Sequence, residues 1–169
     1  GRMVDVFAPV GKGQRGVVMG AAGSGKSTLL NSLAHAVAVN APDAHIMMVL
    51  VDEQPEAITE IAREAKGEVI ASTFDRSSDD HTTIAELAIE RAKRLVGLGH
   101  DVVVLFDSLT RLARAYQQSI GGTSRGGSDT AWVHPTKKLF GAARNVDGGG
   151  SLTILGTLVT GTGLAVDDV

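Results

Sequence analysis

Residues 20–27 read Gly-Ala-Ala-Gly-Ser-Gly-Lys-Ser, between the apolar run 16–19 and an amphipathic run that starts near Lys26. The pattern G-x-x-x-x-G-K-[ST] joins a buried strand to a helix N-terminus, so it demands a strand–loop–helix unit of an α/β fold. Gly20, Ala21, Ala22, Gly23, Ser24 and Gly25 are small enough for successive backbone N–H groups to curl around phosphate oxygens. The helix behind them adds its partial positive charge. Lys26 is placed to reach the β- and γ-phosphates of a nucleotide and the Ser27 hydroxyl to ligate Mg²⁺, with Thr28 completing the phosphate-binding set. A plain glycine turn before a helix is the competing reading, and the flanking strand and helix patterns weigh against it.

The rest of the chain repeats the same alternation. Apolar runs at 45–52, 67–74, 101–107 and 151–159 read as further strands. Between them lie amphipathic segments: one from Lys26 with Leu29, Leu30, Leu33, Ala34 and Val37 on one face, and one beginning at Pro55. Another follows the N-capping cluster 77–80, with Ile84, Leu87, Ala88, Ala92 and Leu95 on one stripe. Two more are expected, over about 108–118 and over 135–145, the latter with Pro135 in its first turn. The 43% hydrophobic content is carried by Val, Leu, Ile and Ala, with 4% aromatic residues and 21 glycines. Such a core suits a mostly parallel sheet with helices on both faces. No repeat or linker divides the chain, so a single domain over 1–169 is expected. In sheets of this kind ligands sit beyond the C-terminal strand ends, which singles out the loops after 19, 52, 74, 107 and 159.

Acids stand at two of those ends. Asp107 closes the apolar strand, where a Mg²⁺-holding carboxylate belongs in phosphate-loop proteins, although alone it fits equally an N-cap for the helix from Ser108. Asp52 and Glu53 close another strand. A carboxylate there can orient or deprotonate an attacking water, Glu53 first and Asp52 as alternative, while two acids before Pro55 also suit a turn. Arg111 and Arg114 share one helical face and fit contact with γ-phosphate, with a neighbouring subunit, or with solvent. Lys137, Lys138 and Arg144, taken as one helix, form at most a local basic face. Trp132 could stack on a base or cap a core edge.

Composition narrows the classes further. With no cysteine there is no disulfide, thiolate chemistry or cysteine zinc site, and the five histidines show no metal-binding spacing. A net charge of −3 gives no broad attraction to nucleic acid. No apolar run is long enough to span a bilayer and no signal-peptide pattern is present, so a cytoplasmic protein without membrane contact is expected.

Six segments, "GKGQRG" (11–16), "GSGKST" (23–28), "LVDEQPE" (50–56), "KGEVIASTFD" (66–75), "LFDSLTRLARAY" (105–116) and "FGAARNVDGGGSLTILGTL" (140–158), resemble in unbroken order the ATPase core of the bacterial transcription terminator Rho. The resemblance implies a RecA-like P-loop NTPase fold and a hexameric, RNA-dependent ATPase and helicase. It places Lys26 and Ser27 on the phosphate-loop lysine and hydroxyl, Glu53 on the catalytic glutamate and Asp107 on the magnesium aspartate. Arg111 matches an arginine near the nucleotide. Segments 119–130 and 160–168 correspond to two central loops that contact single-stranded RNA.

Three departures accompany the match. Gln54 stands where the family has an arginine, Ala165 stands where the second RNA loop has a lysine, and Arg125 is the one cation of the first loop. Fewer cations weaken phosphate contact, the main source of RNA affinity. The family's N-terminal RNA-binding domain and its arginine-finger region lie outside the match. Mg–ATP binding and hydrolysis by a ring-forming motor core is therefore the expected function, slow where the finger is absent. A domain that binds nucleotide with little turnover is the alternative. A GTPase lacks its N-K-x-D segment here, and no acceptor-binding segment supports a small-molecule kinase.

Overall fold

The computed structural model describes residues 2–121 and 133–161. Arg125, Trp132, Ala165 and most of the segments 119–130 and 160–168 lie outside these residues. Five parallel strands, β1 (Arg15–Gly20), β2 (His45–Glu53), β3 (Glu68–Thr73), β4 (Asp101–Asp107) and β6 (Ser151–Val159), form a sheet in the order β1-β6-β4-β2-β3. The two-residue strand β5 (Arg144–Asn145) pairs antiparallel with the start of β6.

The central strands are buried on both faces because both are covered by helices, so their sequences are near-continuous apolar runs. Alternation along each strand divides the core in two. Met47, Val49 and Val51 of β2 and Val102, Val104 and Phe106 of β4 pack with α4 (Ser78–Gly97), α5 (Leu109–Gly121) and α6 (Val133–Phe140). Ile46, Met48 and Leu105 face the other way, against Leu30, Leu33 and Ala34 of α2 (Lys26–Asn40), with Val4 of α1 (Arg2–Phe7) and Ile61 of α3 (Pro55–Glu64) packed on that layer. The expected fold, a mostly parallel sheet with helices on both faces, is the one observed.

Local details depart from the sequence reading. The buried stripe of α4 is Ala85, Ala88, Ile89, Ala92 and Val96, and Leu87 is 62% exposed. Small alanines let α4 lie close to the sheet, a preference that hydrophobicity alone does not reveal. The helix expected over 135–145 spans Val133–Phe140, and Arg144 belongs to β5, so Lys137, Lys138 and Arg144 do not share a helix. Backbone pairing with β6 takes residues 144–145 out of the helix. Helix α1, whose residues are all exposed or half-buried, has no counterpart in the sequence reading.

The start of α4 is tightly specified. Ser77 accepts from the Asp80 N–H at 3.2 Å while Asp80 accepts from the Ser77 N–H at 3.3 Å, a reciprocal cap worth about 1 kcal/mol. Further along, Tyr116 of α5 is buried and donates to Glu86 at 2.8 Å. Burial, and then the Glu86 contact, push its phenol well above the ordinary value of 10.0. The folded state thus holds the neutral phenol, so stability is intact below the unfolded-state value and declines as pH rises above it. Tyr116→Phe should flatten that decline in denaturation midpoints measured between pH 9 and 11.

Candidate active site

Because β1, β6, β4 and β2 run parallel, their C-terminal ends meet along one sheet edge, and every acid singled out above lies there. The loop after β1 turns back through Gly23 (φ 73°) and Gly25 (φ 84°), a left-handed conformation that suits glycine. Neither glycine would meet a neighbour if it carried a Cβ, so backbone conformation rather than space requires them. Gly25 is the N-cap of α2 and offers no side chain, which leaves the first N–H groups of the helix without a side-chain cap. Those orphan donors and the helix dipole make the end of α2 receptive to an anion. Lys26 reaches across the loop, donating to Ala21 O at 2.6 Å and Gly20 O at 3.0 Å and contacting Ser24 Oγ at 3.4 Å. Thr160 N–H donates to Gly20 O at 3.1 Å, tying the base of the loop to the end of β6.

Asp107 ends β4 on the same sheet edge and is 9% exposed. Thr157, in the neighbouring strand β6, donates to its Oδ1 at 2.7 Å. Among the described residues Thr157 is the one hydrogen-bond partner of the Asp107 carboxylate, so its second oxygen is left for another donor or a cation. The capping role open to Asp107 falls to Ser108, whose Oγ accepts from the Arg111 N–H at 3.2 Å at the start of α5. Thr157→Val keeps the side chain's shape and removes this donor. It should cost about 1–3 kcal/mol of stability in denaturant titrations and raise the Mg²⁺ concentration needed for nucleotide binding.

At the end of β2 the strand register with β3 slips. Leu50 pairs Ala71 and Glu53 pairs Thr73, so β2 carries one extra residue there. Asp52 takes the slack at φ 55°, a left-handed conformation that costs a non-glycine residue roughly 1–2 kcal/mol. Bulges of this kind re-aim the next side chain. Here Glu53 meets Arg111: the guanidinium donates to Glu53 Oε2, to Asp52 O at 2.8 Å and to Val51 O at 3.4 Å. Arg111 thus grips both the carboxylate and the backbone that presents it.

Phosphate loop, Asp107 and the Glu53–Arg111 pair therefore share one edge. Arg114 stands apart, its Nε buried with no partner among the described residues. Three polar residues escaped the sequence reading: Thr157, Ser72 and His81. Ser72 and Thr157 sit inside otherwise apolar strands, and a buried polar group there needs a partner, which is the signal that could have found them.

A strand–phosphate-loop–helix unit in the same parallel sheet as an acid-ended central strand, with one strand between them, defines a RecA-like P-loop NTPase. Comparison with known proteins agrees: residues 1–164 match the model of the ATP synthase alpha/beta family, nucleotide-binding domain. The chain belongs to that family. The chain is 56% identical to transcription termination factor Rho of Micrococcus luteus, over 99% of this chain and 25% of that protein. Identity to Rho of Streptomyces lividans is 54%, over 99% of this chain and 24% of that protein. Rho of Streptosporangium roseum is 55% identical, over 99% of this chain and 44% of that protein. The chain thus spans a quarter to under half the length of these curated relatives. Among solved structures, an ATPase from the type III secretion system of pathogenic bacteria superposes with a TM-score of 0.83 at 25% identity, covering 99% of this chain and 51% of that one. The resemblance to the Rho ATPase core holds over nearly the whole chain.

Proposed function

We propose that this chain binds Mg–ATP at the shared strand edge and hydrolyses it, as the motor core of a Rho-type, RNA-dependent ATPase. The observation that carries the proposal is the uncapped start of α2, with Lys26 over the loop, on the same edge as Asp107 and the Glu53–Arg111 pair. Residues 20–28 would cradle the phosphates by backbone N–H donation, and Lys26 would exchange its loop carbonyls for β- and γ-phosphate oxygens. Ser27 and Asp107 would hold Mg²⁺, which when bound neutralises charge on those phosphates. Asp107 fits that task because it is buried and one of its carboxylate oxygens has no partner among the described residues. Glu53 would accept a hydrogen bond from the attacking water and draw its proton as the bond to the γ-phosphorus forms and the bond from that phosphorus to the β–γ bridging oxygen breaks, leaving ADP. Arg111 keeps Glu53 in place. ADP and inorganic phosphate are the products.

The similarity to Rho supports single-stranded RNA as partner, through 119–130 and 160–168, in a homo-oligomeric ring in the cytoplasm. No helix among the described residues is long and apolar enough to cross a membrane. The test is calorimetric titration with Mg–ATP together with phosphate release, with and without single-stranded RNA, in one preparation. Binding with RNA-stimulated release is the expected result. Binding without release under any condition reduces the chain to a nucleotide-holding domain, and no binding overturns the proposal.

A further inference from the structure

We propose that Ser72 and His81 form a positioning pair that holds the Asp52–Glu53 turn in its left-handed conformation and so aims Glu53. The inference rests on the role of Glu53 proposed above and extends it to two residues on other elements. Ser72 lies in β3, an edge strand, and is 2% exposed. Its Oγ accepts from the Asp52 N–H at 3.3 Å and stands 2.8 Å from His81 Nδ1. His81, on the first turn of α4, is 6% exposed, and its Nε2 is 4.0 Å from Asp52 Oδ1.

One arrangement that satisfies the donor and acceptor count has the proton on Nε2. The Asp52 carboxylate facing Nε2 favours a proton on that nitrogen, although 4.0 Å is too long for a direct hydrogen bond. Nδ1 is then the acceptor, so the Ser72 hydroxyl donates to it and keeps a lone pair for the Asp52 N–H. Both backbone and side chain of Asp52 are addressed by one pair of buried polar groups. The pair in turn has a rigid base, because the reciprocal Ser77–Asp80 cap fixes the turn from which His81 projects.

The target of these contacts is the one non-glycine residue with positive φ among the described residues, at the bulge that points Glu53 towards Arg111. Arg111 grips the same turn from the opposite strand neighbour's helix, through Asp52 O and Val51 O. Asp52 is therefore held from both sides, its N–H by Ser72 and its C=O by Arg111. A buried serine–histidine pair adds nothing that an apolar pair would not supply for packing alone. Its placement on the strained residue before Glu53 gives it a purpose.

The test uses Ser72→Ala, His81→Leu, His81→Asn and the double change Ser72→Ala with Asp52→Gly. Asparagine can place an amide near the Nδ1 position, and glycine adopts the left-handed conformation without strain. Amide hydrogen exchange and the φ-dependent backbone coupling of Asp52, read by NMR, need no turnover. Ser72→Ala and His81→Leu should speed exchange at Asp52 roughly fivefold to tenfold, with the amides of 46–50 unchanged. Hydrolysis at saturating Mg–ATP should fall by a similar factor with nucleotide Kd unchanged, His81→Asn should recover most of it, and Asp52→Gly should rescue Ser72→Ala. Unchanged exchange and coupling at Asp52 would overturn the inference, as would a uniform loss of protection across β2 and β3. Should Glu53→Gln hydrolyse at the normal rate, the role of Glu53 fails, while the Asp52 signals still decide whether the pair holds the turn.

Discussion

Replacing Glu53 with glutamine is expected to lower the ATP hydrolysis rate by a factor of about 10² to 10⁴, the usual contribution of a positioned acid–base group. The amide occupies the same volume but cannot take a proton from water, and it presents an NH₂ where a carboxylate oxygen stood. Nucleotide affinity should change little, because Glu53 ends β2, which β6 and β4 separate from β1 and the loop that would hold the phosphates. Arg111 stays anchored, since Asp52 O at 2.8 Å and Val51 O at 3.4 Å remain its acceptors. Single-turnover phosphate release and calorimetry on the same samples separate the two effects. A parallel fall in affinity would instead make Glu53 part of the binding surface.

Lys26→Ala should weaken Mg–ATP binding by roughly one to two orders of magnitude, the worth of charge-assisted hydrogen bonds to phosphate oxygens. Hydrolysis should become undetectable, since the charge developing on the γ-phosphate also loses its cation. The fold should not suffer. Lys26 contacts Gly20, Ala21 and Ser24 of its own loop, and alanine is a better helix former at the first position of α2. Calorimetry gives the affinity, and thermal melting without nucleotide checks the fold. Undiminished affinity would show that the backbone cradle alone holds the phosphates.

Much of this architecture is legible in the residues themselves, because it depends on local rules. A run such as 45–52 can bury both faces only as an inner strand, and the glycines at 23 and 25 can hold a left-handed turn. The placement of Lys26 and Ser27 at a helix start and of Glu53 and Asp107 at strand ends follows from the same alternation. The helix boundaries near 140 and the buried face of α4 were less legible. There the outcome turned on pairing with β6 and on how closely alanines let a helix approach the sheet, neither of which is local in sequence.

By itself, then, the sequence determined a strand–phosphate-loop–helix unit, a parallel α/β sheet and acids at the ends of its strands. The tertiary structure alone decided that β6 lies between β1 and β4, which brings Thr157 to Asp107. It also decided the extra residue before Glu53 and the meeting of Asp52 with Ser72, His81 and Arg111. The physical reason is sequence distance. Thr157 and Asp107 are 50 residues apart and Arg111 and Glu53 58 apart, and only the packing of helices on both faces of the sheet brings such pairs within hydrogen-bond reach.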